Sequence, residues 1–478
     1  MTVDERYRGK RIHVLGVAGT EGSSVIDFLM GRGITTITGH DLHGGEAFAS
    51  EFERTHQWLS PEDRRTALAR LRAYPITIHT GEHYLHGIDE AEVIFTTQSW
   101  FRHAANDPLR ALRDQGVRLS SMTHLFFEAA PCPIVGVTGT NGKFTVAYLI
   151  HQMLVRSGRR AFFSGNDRSH VPMLYYADGL RSDDRLVLEI SNRQLLGLPY
   201  SPHLAVVTNV APHHLDDHGT MEAYVEVKRT ILRYQVPGDA AVLNADNPYT
   251  RAMADGAREA HLFSRTHRPR PGAYVEDGMA IIARGRFEQT IPLRVLPQHG
   301  AQAIENALAA LLAASLAGAS APAMTEVLAE FRGLPYRFRL IGEAGGVRYV
   351  EDSLATNPAA AAAAVAEMDR RFILIAGGAR PQASPEDFAP LRDVLERTPV
   401  RAVLLIGATA RLLERALGDL RVPVEPAGTL EAAVARARVL ARPGDTVLFS
   451  PACESFDQFR DYRERGDRFV ALVQEGRR

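Results

Sequence analysis

Cysteine is nearly absent. Cys132 and Cys453 are the only two among 478 residues, too few and too far apart for a disulfide framework, so the chain is expected to fold on its apolar core in a reducing compartment. No apolar run approaches the ~18 residues of a membrane span. The alanine-rich stretch 359–365 is short and reads as a packed helix. Net charge is also lacking: a balance of −1 implies no bulk attraction to nucleic acid or to an anionic membrane. The first residues, Met1-Thr-Val-Asp-Glu-Arg6, have no apolar signal-peptide core, and a cytoplasmic location is expected. No solenoid period or low-complexity tract is visible.

What is present is an ordinary globular composition, 45% apolar and 23% charged, over a length that implies two to four domains. Apolar runs alternate with stretches of helical spacing throughout, the pattern of α/β folds with parallel sheets. The expected architecture is three α/β domains. The first is Rossmann-like (1–131). The second is a P-loop central parallel sheet with a small antiparallel patch (132–333), and the third is Rossmann-like (334–478). Pro131-Cys-Pro133 reads as the first linker.

The strongest local signal is Pro133-Ile-Val-Gly-Val-Thr138, a buried strand, followed by the turn Gly139-Thr-Asn-Gly-Lys143 and a helical stretch from Thr145. Strand, glycine-rich turn with lysine and helix form a phosphate cradle. Backbone N–H groups and the helix dipole hold the phosphates, and Lys143 reaches the outer ones. Gly139, Thr140, Asn141, Gly142, Lys143 and Thr145 are therefore candidate nucleotide contacts. Phe144 stands where such loops place a Mg²⁺-binding Ser or Thr. A second glycine turn, Gly16-Val-Ala-Gly19-Thr20-Glu-Gly22, lies between a strand and a helix, with Asp41 about twenty residues on. It reads either as a nucleotide turn with its ribose acid or as a turn built for tight packing. Taken alone it would suggest a dinucleotide dehydrogenase, which leaves Lys143, Glu189 and Lys228 unexplained.

Polar clusters fall at the carboxyl ends of the central strands, where open α/β sheets bind ligands. Glu189 and Ser191 end one strand. Asn209 ends the next, followed by His213, His214, Asp216 and His218, with Lys228 in a later helical stretch. A carboxylate beside phosphates points to Mg²⁺, which prefers hard oxygen ligands. No HExxH spacing or cysteine partner supports zinc.

These segments resemble the Mur ligases, the ATP-dependent amide-forming enzymes of peptidoglycan synthesis, and among them the MurD type. Gly139–Lys143 is similar to the family P-loop. Glu189-Ile-Ser-Asn-Arg-Gln-Leu195 resembles its Glu-Leu-Ser-Ser-Phe-Gln-Leu segment. Asn209-Val-Ala-Pro-His-His-Leu-Asp-Asp-His218 resembles its metal-site loop, and Tyr224–Lys228 its Tyr-x-x-x-Lys segment. Gly333–Arg337, Asp352-Ser-Leu-Ala-Thr-Asn357 and Ser450-Pro-Ala-Cys-Glu-Ser-Phe-Asp-Gln-Phe459 resemble MurD-type signatures of the last domain.

The resemblance implies ligation of an amino acid, D-glutamate first, to the carboxylate of UDP-N-acetylmuramoyl-L-alanine through an acyl phosphate. It implies ATP and two Mg²⁺ sites, held by Glu189, His214 and a carbamylated Lys228. It places Arg337 and Asp352 at ATP, and Gly16, Gly19, Thr20, Asp41, Asn166 and Ser191 toward the UDP-sugar precursor. Thr356, Arg380, Ser455 and Tyr462 fall at the amino acid, and the protein is implied to be a monomer with small-molecule partners. The chain also departs from the family. Phe144 lacks the hydroxyl, Leu354 replaces a lysine, and Pro381 stands where a second lysine is usual, with Arg380 one position early. Gln302-Ala303 replaces His-Asn, although His299 lies nearby. Thr96-Thr-Gln-Ser-Trp100 replaces a Ser-Pro-Gly loop. These departures leave open a ligase with another acceptor or carboxylate, or a non-catalytic nucleotide-binding homologue.

Overall fold

The computed structural model describes residues 2–475, apart from 57, 166–170, 213–214, 297–299, 332, 369 and 381–382; at 215, 216 and 287 it describes the backbone alone. The chain divides into two compact units, 1–329 and 330–478. The divide expected at 333/334 thus falls just beyond the observed one. Residues on both sides of the divide expected at 131/132 share the first unit, each with a sheet of its own.

The amino-terminal sheet comprises β1 (Ile12–Leu15), β2 (Ile37–Asp41), β3 (Thr77–Thr80), β4 (Val93–Phe95) and β5 (Arg118–Ser120). Its order is β3-β2-β1-β4-β5, and every neighbouring pair is parallel. The order reverses between β1 and β4, which puts the Gly16–Gly22 turn at a topological switch point. The helix Thr20–Gly31 starts before the apolar spacing does, because its first turn (Thr20, Glu21, Gly22) is polar or small.

The second sheet holds β6 (Ile134–Thr138), β7 (Ala161–Ser164), β8 (Arg185–Glu189), β9 (Leu204–Val207) and β10 (Ala240–Asn244). It continues through β11 (Ala260–Ser264), β12 (Gly272–Glu276), β13 (Met279–Arg284) and β14 (Phe287–Pro292). The order is β14-β13-β12-β11-β10-β9-β6-β8-β7. It is parallel from β7 to β12 and antiparallel over β12-β13-β14. The expected antiparallel patch is therefore a continuation of the main sheet. All five residues of β6 are buried, as the apolar run requires of a central strand covered on both faces. The helix Lys143–Arg156 packs on this sheet beside the helix Ala301–Leu316.

The second unit carries β15 (Arg339–Ala344), β16 (Val347–Glu351), β17 (Phe372–Gly377), β18 (Val400–Ile406), β19 (Val424–Gly428) and β20 (Thr446–Phe449). The order is β15-β16-β20-β17-β18-β19, antiparallel only at β15. Apolar clusters cover both faces. The stretch 359–365 is helical, within Pro358–Ala366. Five strands, namely β5, β11, β15 and the pair β3 and β19, have no counterpart in the sequence reading. The last two are edge strands with little buried apolar surface, and β19 carries Pro426, so neither shows a strong period.

Candidate active site

The turn after β6 is braced from beneath by the strand beside it. Thr208 Oγ1 donates to the Asn141 carbonyl at 2.6 Å, and the Asn209 carbonyl and Oδ1 accept from the Thr140 and Asn141 amides at 2.8 and 2.9 Å. Two glycines are required by close approach. A Cβ on Gly139 (φ +149°) would lie 2.0 Å from Thr208 Oγ1, and one on Gly142 (φ +78°) would lie 2.1 Å from Asn306 Oδ1. Asn306 is oriented by Gln302, which donates to it at 3.0 Å. The helix starts at Lys143 with no side-chain cap from Gly142, so its positive end faces the turn, as an anion site needs. Lys143 Nζ donates to the Thr140 carbonyl at 3.0 Å. Thr145 is half-buried in the first helical turn.

Phe144 belongs to an aromatic cluster. Its ring is 5.2 Å from Phe163, edge to face, and 6.5 Å from Tyr148 in a stacked arrangement, while Tyr148 also meets Phe163 edge-on at 6.3 Å. The residue one helical turn on and the strand opposite are therefore both shaped to receive this ring.

Lys228 lies beneath the cradle, 1% exposed. Its Nζ donates to the Gly139 carbonyl at 2.8 Å and sits 4.8 Å from the centre of the Tyr224 ring. Burial holds the ammonium well below the ordinary lysine value. The charge of Lys143 adds to that, and Glu189 opposes it. Tyr224 reaches the cradle itself, its hydroxyl 3.3 Å from Thr140 Oγ1. Glu189 is buried at the end of β8. Two residues on, the Ser191 hydroxyl caps the helix Asn192–Leu195 in a capping box with Gln194.

Among the described residues no three His, Cys, Asp or Glu side chains are gathered to hold a metal. A buried carboxylate at a strand end beside a phosphate cradle fits Mg²⁺, which keeps several waters and takes one or two carboxylates beside phosphates. It does not by itself make a zinc site. His213, His214 and Asn166 lie outside the described residues, as do His299 and Pro381.

In the amino-terminal turn the Asp41 carboxylate accepts from the Ala18 amide at 2.7 Å and from the amide and ring of His43 at 2.9 Å. Its bonds shape the turn itself. Gly16 and Gly19 close the turn through backbone bonds, and Thr20 Oγ1 donates to the Thr55 carbonyl at 2.6 Å.

In the second unit, Asp352 is buried, and its two oxygens accept from the Phe338 amide at 2.9 Å and Ser450 Oγ at 2.7 Å. Burial pushes this carboxyl up to about 7 despite both bonds. Arg337 is exposed, on a turn between Tyr336 (φ +63°) and Phe338 (φ +42°), two left-handed non-glycine residues. Such strain persists only where the surroundings enforce it, and it gathers at functional sites. Tyr462 meets Tyr336 edge-on at 5.6 Å. Ser455 is buried, Thr356 and Leu354 are half-buried, and Arg380 Nε is buried with no hydrogen-bond partner. Beneath them Arg465, 1% exposed, donates to the carbonyls of Ser353, Cys453 and Glu454 at 3.0 Å.

Thr208, Asn306 and Arg465 are site-building residues that the sequence reading did not single out. Asn306 left a trace, a polar residue opening a buried Ala/Leu run; the other two needed the fold to reveal their partners.

Residues 137–314 match the Mur ligase middle domain, and 336–453 match the Mur ligase glutamate ligase domain. The UDP-N-acetylmuramoylalanine–D-glutamate ligase of Symbiobacterium thermophilum is 38% identical over 97% of this chain and 98% of its own. The enzyme of the same name from Acetivibrio thermocellus is 33% identical over 98% and 97%. Among solved structures, the UDP-N-acetylmuramate–alanine ligase MurC of Thermotoga maritima matches with a TM-score of 0.55 at 17% identity, over 98% of this chain and 100% of that one. The MurF ligase of the same organism, solved with ADP, matches with a TM-score of 0.53 at 18% identity over 87% and 91%.

Proposed function

The chain belongs to the Mur ligase family, in its UDP-N-acetylmuramoylalanine–D-glutamate ligase branch, and from that premise we propose that it joins D-glutamate to the carboxylate of UDP-N-acetylmuramoyl-L-alanine. It is an ATP-dependent ligase of peptidoglycan precursor synthesis. The observation that carries the site assignment is the braced cradle 139–143, with Lys143 at its rim and Lys228 buried beneath it.

A carboxylate is a poor electrophile. The substrate oxygen attacks the γ-phosphorus of ATP, the bond to the β-phosphate oxygen breaks, and an acyl phosphate and ADP form. The neutral amine then attacks the acyl carbon and loses a proton, and inorganic phosphate leaves with the bonding pair of the C–O bond. The cradle amides of 139–143 bind the nucleotide phosphates. Lys143 exchanges its bond to Thr140 for the outer phosphates and neutralises charge that builds during transfer. Arg337 is assigned to the same phosphates and Asp352 to the nucleotide. Mg²⁺ would be held by Glu189, His214 and Lys228, the last as its carbamate, and would supply electrostatic stabilisation of the transferring phosphoryl group. A depressed lysine offers the neutral amine that carbamylation needs. Gly16, Gly19, Thr20 and Asn166 are assigned to the UDP-sugar side, with Asp41 and Ser191 supporting it through the backbone. Thr356, Arg380, Ser455 and Tyr462 are assigned to the amino acid, with Arg380 as the cation for its side-chain carboxylate.

The proposed enzyme is a cytoplasmic monomer acting on small molecules; no helix of the described residues is long and apolar enough to cross a membrane. Leu354, half-buried where the family has a lysine, favours one second reading: the same chemistry with a different acceptor. The test is release of ADP and phosphate from ATP and Mg²⁺ with UDP-N-acetylmuramoyl-L-alanine, each amino acid being offered in turn. Turnover with D-glutamate alone is expected. Turnover with another amine only would favour the second reading, and ATP binding without turnover under any condition would defeat both.

A further inference from the structure

We infer that the loop 97–102 of the amino-terminal sheet couples the sugar-nucleotide turn to the metal-holding end of the central sheet, with Gln98 and Arg102 as positioning residues. The inference rests on the assignment of Glu189 and His214 made above. It concerns the segment where Thr96-Thr-Gln-Ser-Trp100 departs from the family loop.

The first arm runs through Gln98. Its backbone N–H donates to Glu21 Oε2 at 2.9 Å, and its Nε2 donates to Glu21 Oε1. Glu21 lies in the first turn of the helix Thr20–Gly31, directly after the glycine turn. A carboxylate only accepts, so it must face the NH₂ end of the amide, which turns Oε1 the other way. There Oε1 accepts from Ser191 Oγ at 3.1 Å. Ser191 has a single hydroxyl hydrogen. With that hydrogen given to Gln98, its lone pairs face the Gln194 amide, which donates to it at 3.2 Å. The Gln98 side chain thus links Glu21 to Ser191, and Ser191 is two residues from Glu189.

The second arm runs through Asp217, whose side chain is 1% exposed. Arg102 Nε lies 2.7 Å from Oδ1, while Arg193 donates to Oδ2 through Nε and Nη2 at 3.0 and 2.8 Å. Arg193 also reaches Ser99 Oγ at 3.3 Å. One guanidinium comes from the loop and one from the central sheet, so the buried carboxylate binds the two together. Asn192 and His218 add a side-chain bond of 2.8 Å between the segments that carry Arg193 and Asp217. Arg193 stands where the family segment that this stretch resembles has Phe. The loop therefore holds Ser191 just after Glu189, and Asp217 just after 213–214.

Groups that orient metal ligands typically change affinity or activity 10–100-fold when removed. Two variants, Gln98→Ala and Arg102→Ala, test the inference in the full chain. The side chain of Arg102 is 41% exposed, and removing it leaves the Asp217–Arg193 pair in place. Amide hydrogen exchange without substrates should accelerate about tenfold or more, at 191–195 for Gln98→Ala and at 215–218 for Arg102→Ala, with the helix 143–156 unchanged. In turnover, kcat should fall about tenfold with KM for ATP within about twofold, and Arg102→Lys should recover most of it. Unchanged exchange at those segments would overturn the coupling. So would acceleration across the whole unit with a Tm lowered by more than about 10 °C, which marks a general brace. The exchange arm needs no turnover. A wild-type chain that ligates nothing would sink the ligase reading while leaving the coupling to be decided.

Discussion

Lys228 Nζ lies 2.8 Å from the Gly139 carbonyl, inside the protein and directly beneath the phosphate cradle. Burial and the nearby charge of Lys143 favour its neutral form, the form that is nucleophilic toward carbon dioxide. Labelled bicarbonate should give a carbamate carbon-13 signal that Lys228→Ala abolishes, together with at least a hundredfold loss of kcat on the order expected for a lost metal ligand. A fully active Lys228→Ala variant would remove this lysine from the mechanism.

Phe144 is expected to be a built part of the site. Replacing it with Thr removes a half-buried ring from the Phe144–Tyr148–Phe163 cluster and should cost about 1–2 kcal/mol, read as a lower urea midpoint. Because the cluster accommodates Phe, Phe144→Thr should not raise kcat at saturating Mg²⁺. A gain in turnover would mean that Phe144 weakens an otherwise ordinary P-loop. Lys143→Ala, by contrast, should abolish ligation while the fold survives; retained turnover would refute the phosphate-cradle assignment.

Asp352 sets a pH dependence for the second unit. Its carboxyl is raised to about 7 in the folded chain from about 3.9 when unfolded. A raised folded value stabilises the protein below the unfolded value, and that contribution is lost as pH climbs through about 7. The loss is at most about 4 kcal/mol, at ~1.4 kcal/mol per tenfold change in proton affinity. Asp352→Asn mimics the neutral form. Thermal melts from pH 4 to 8 should show the wild type falling away from the variant as pH rises; parallel curves would refute the assignment.

His13 and His40 set the opposite limb in the first unit. His13 Nδ1 and His40 Nε2 are 2.8 Å apart in the amino-terminal sheet, and the His40 ring stands 5.6 Å from that of His79. Burial first, and neighbouring histidines second, lower His13 to about 4; burial likewise lowers His40 to about 4. Lowered values stabilise above the unfolded value of about 6.5, and this is lost as pH falls toward 4. Unfolding monitored within the first unit should weaken over that window. His13→Asn keeps a donor for His40 and should flatten the limb; an unaltered acid limb would rule the pair out as its source.

The central strands and the cradle were legible in the sequence because both depend on near neighbours. The run 133–138 had to be buried, and Gly139, Gly142 and Lys143 are spaced along one turn. The edge strands β3 and β19, and the polar first turn of the helix Thr20–Gly31, were not legible, since none presents an apolar period. Asp41 illustrates a different shortfall. Its spacing suggested a ribose partner, yet its oxygens hold Ala18 and His43. Spacing along a chain places a carboxylate but cannot say which donors arrive from other elements.

The sequence by itself determined the fold class, the family and the chemistry, because these follow from local periodicity, turn residues and motifs whose members lie close together. Tertiary structure alone decided that Lys228 is buried under Gly139, that Phe144 has an aromatic socket, and that Gln98 and Arg102 reach Ser191 and Asp217. Most of those relationships join residues from about twenty to more than a hundred positions apart. Their energies depend on burial and donor geometry, and neither exists until the sheets have formed.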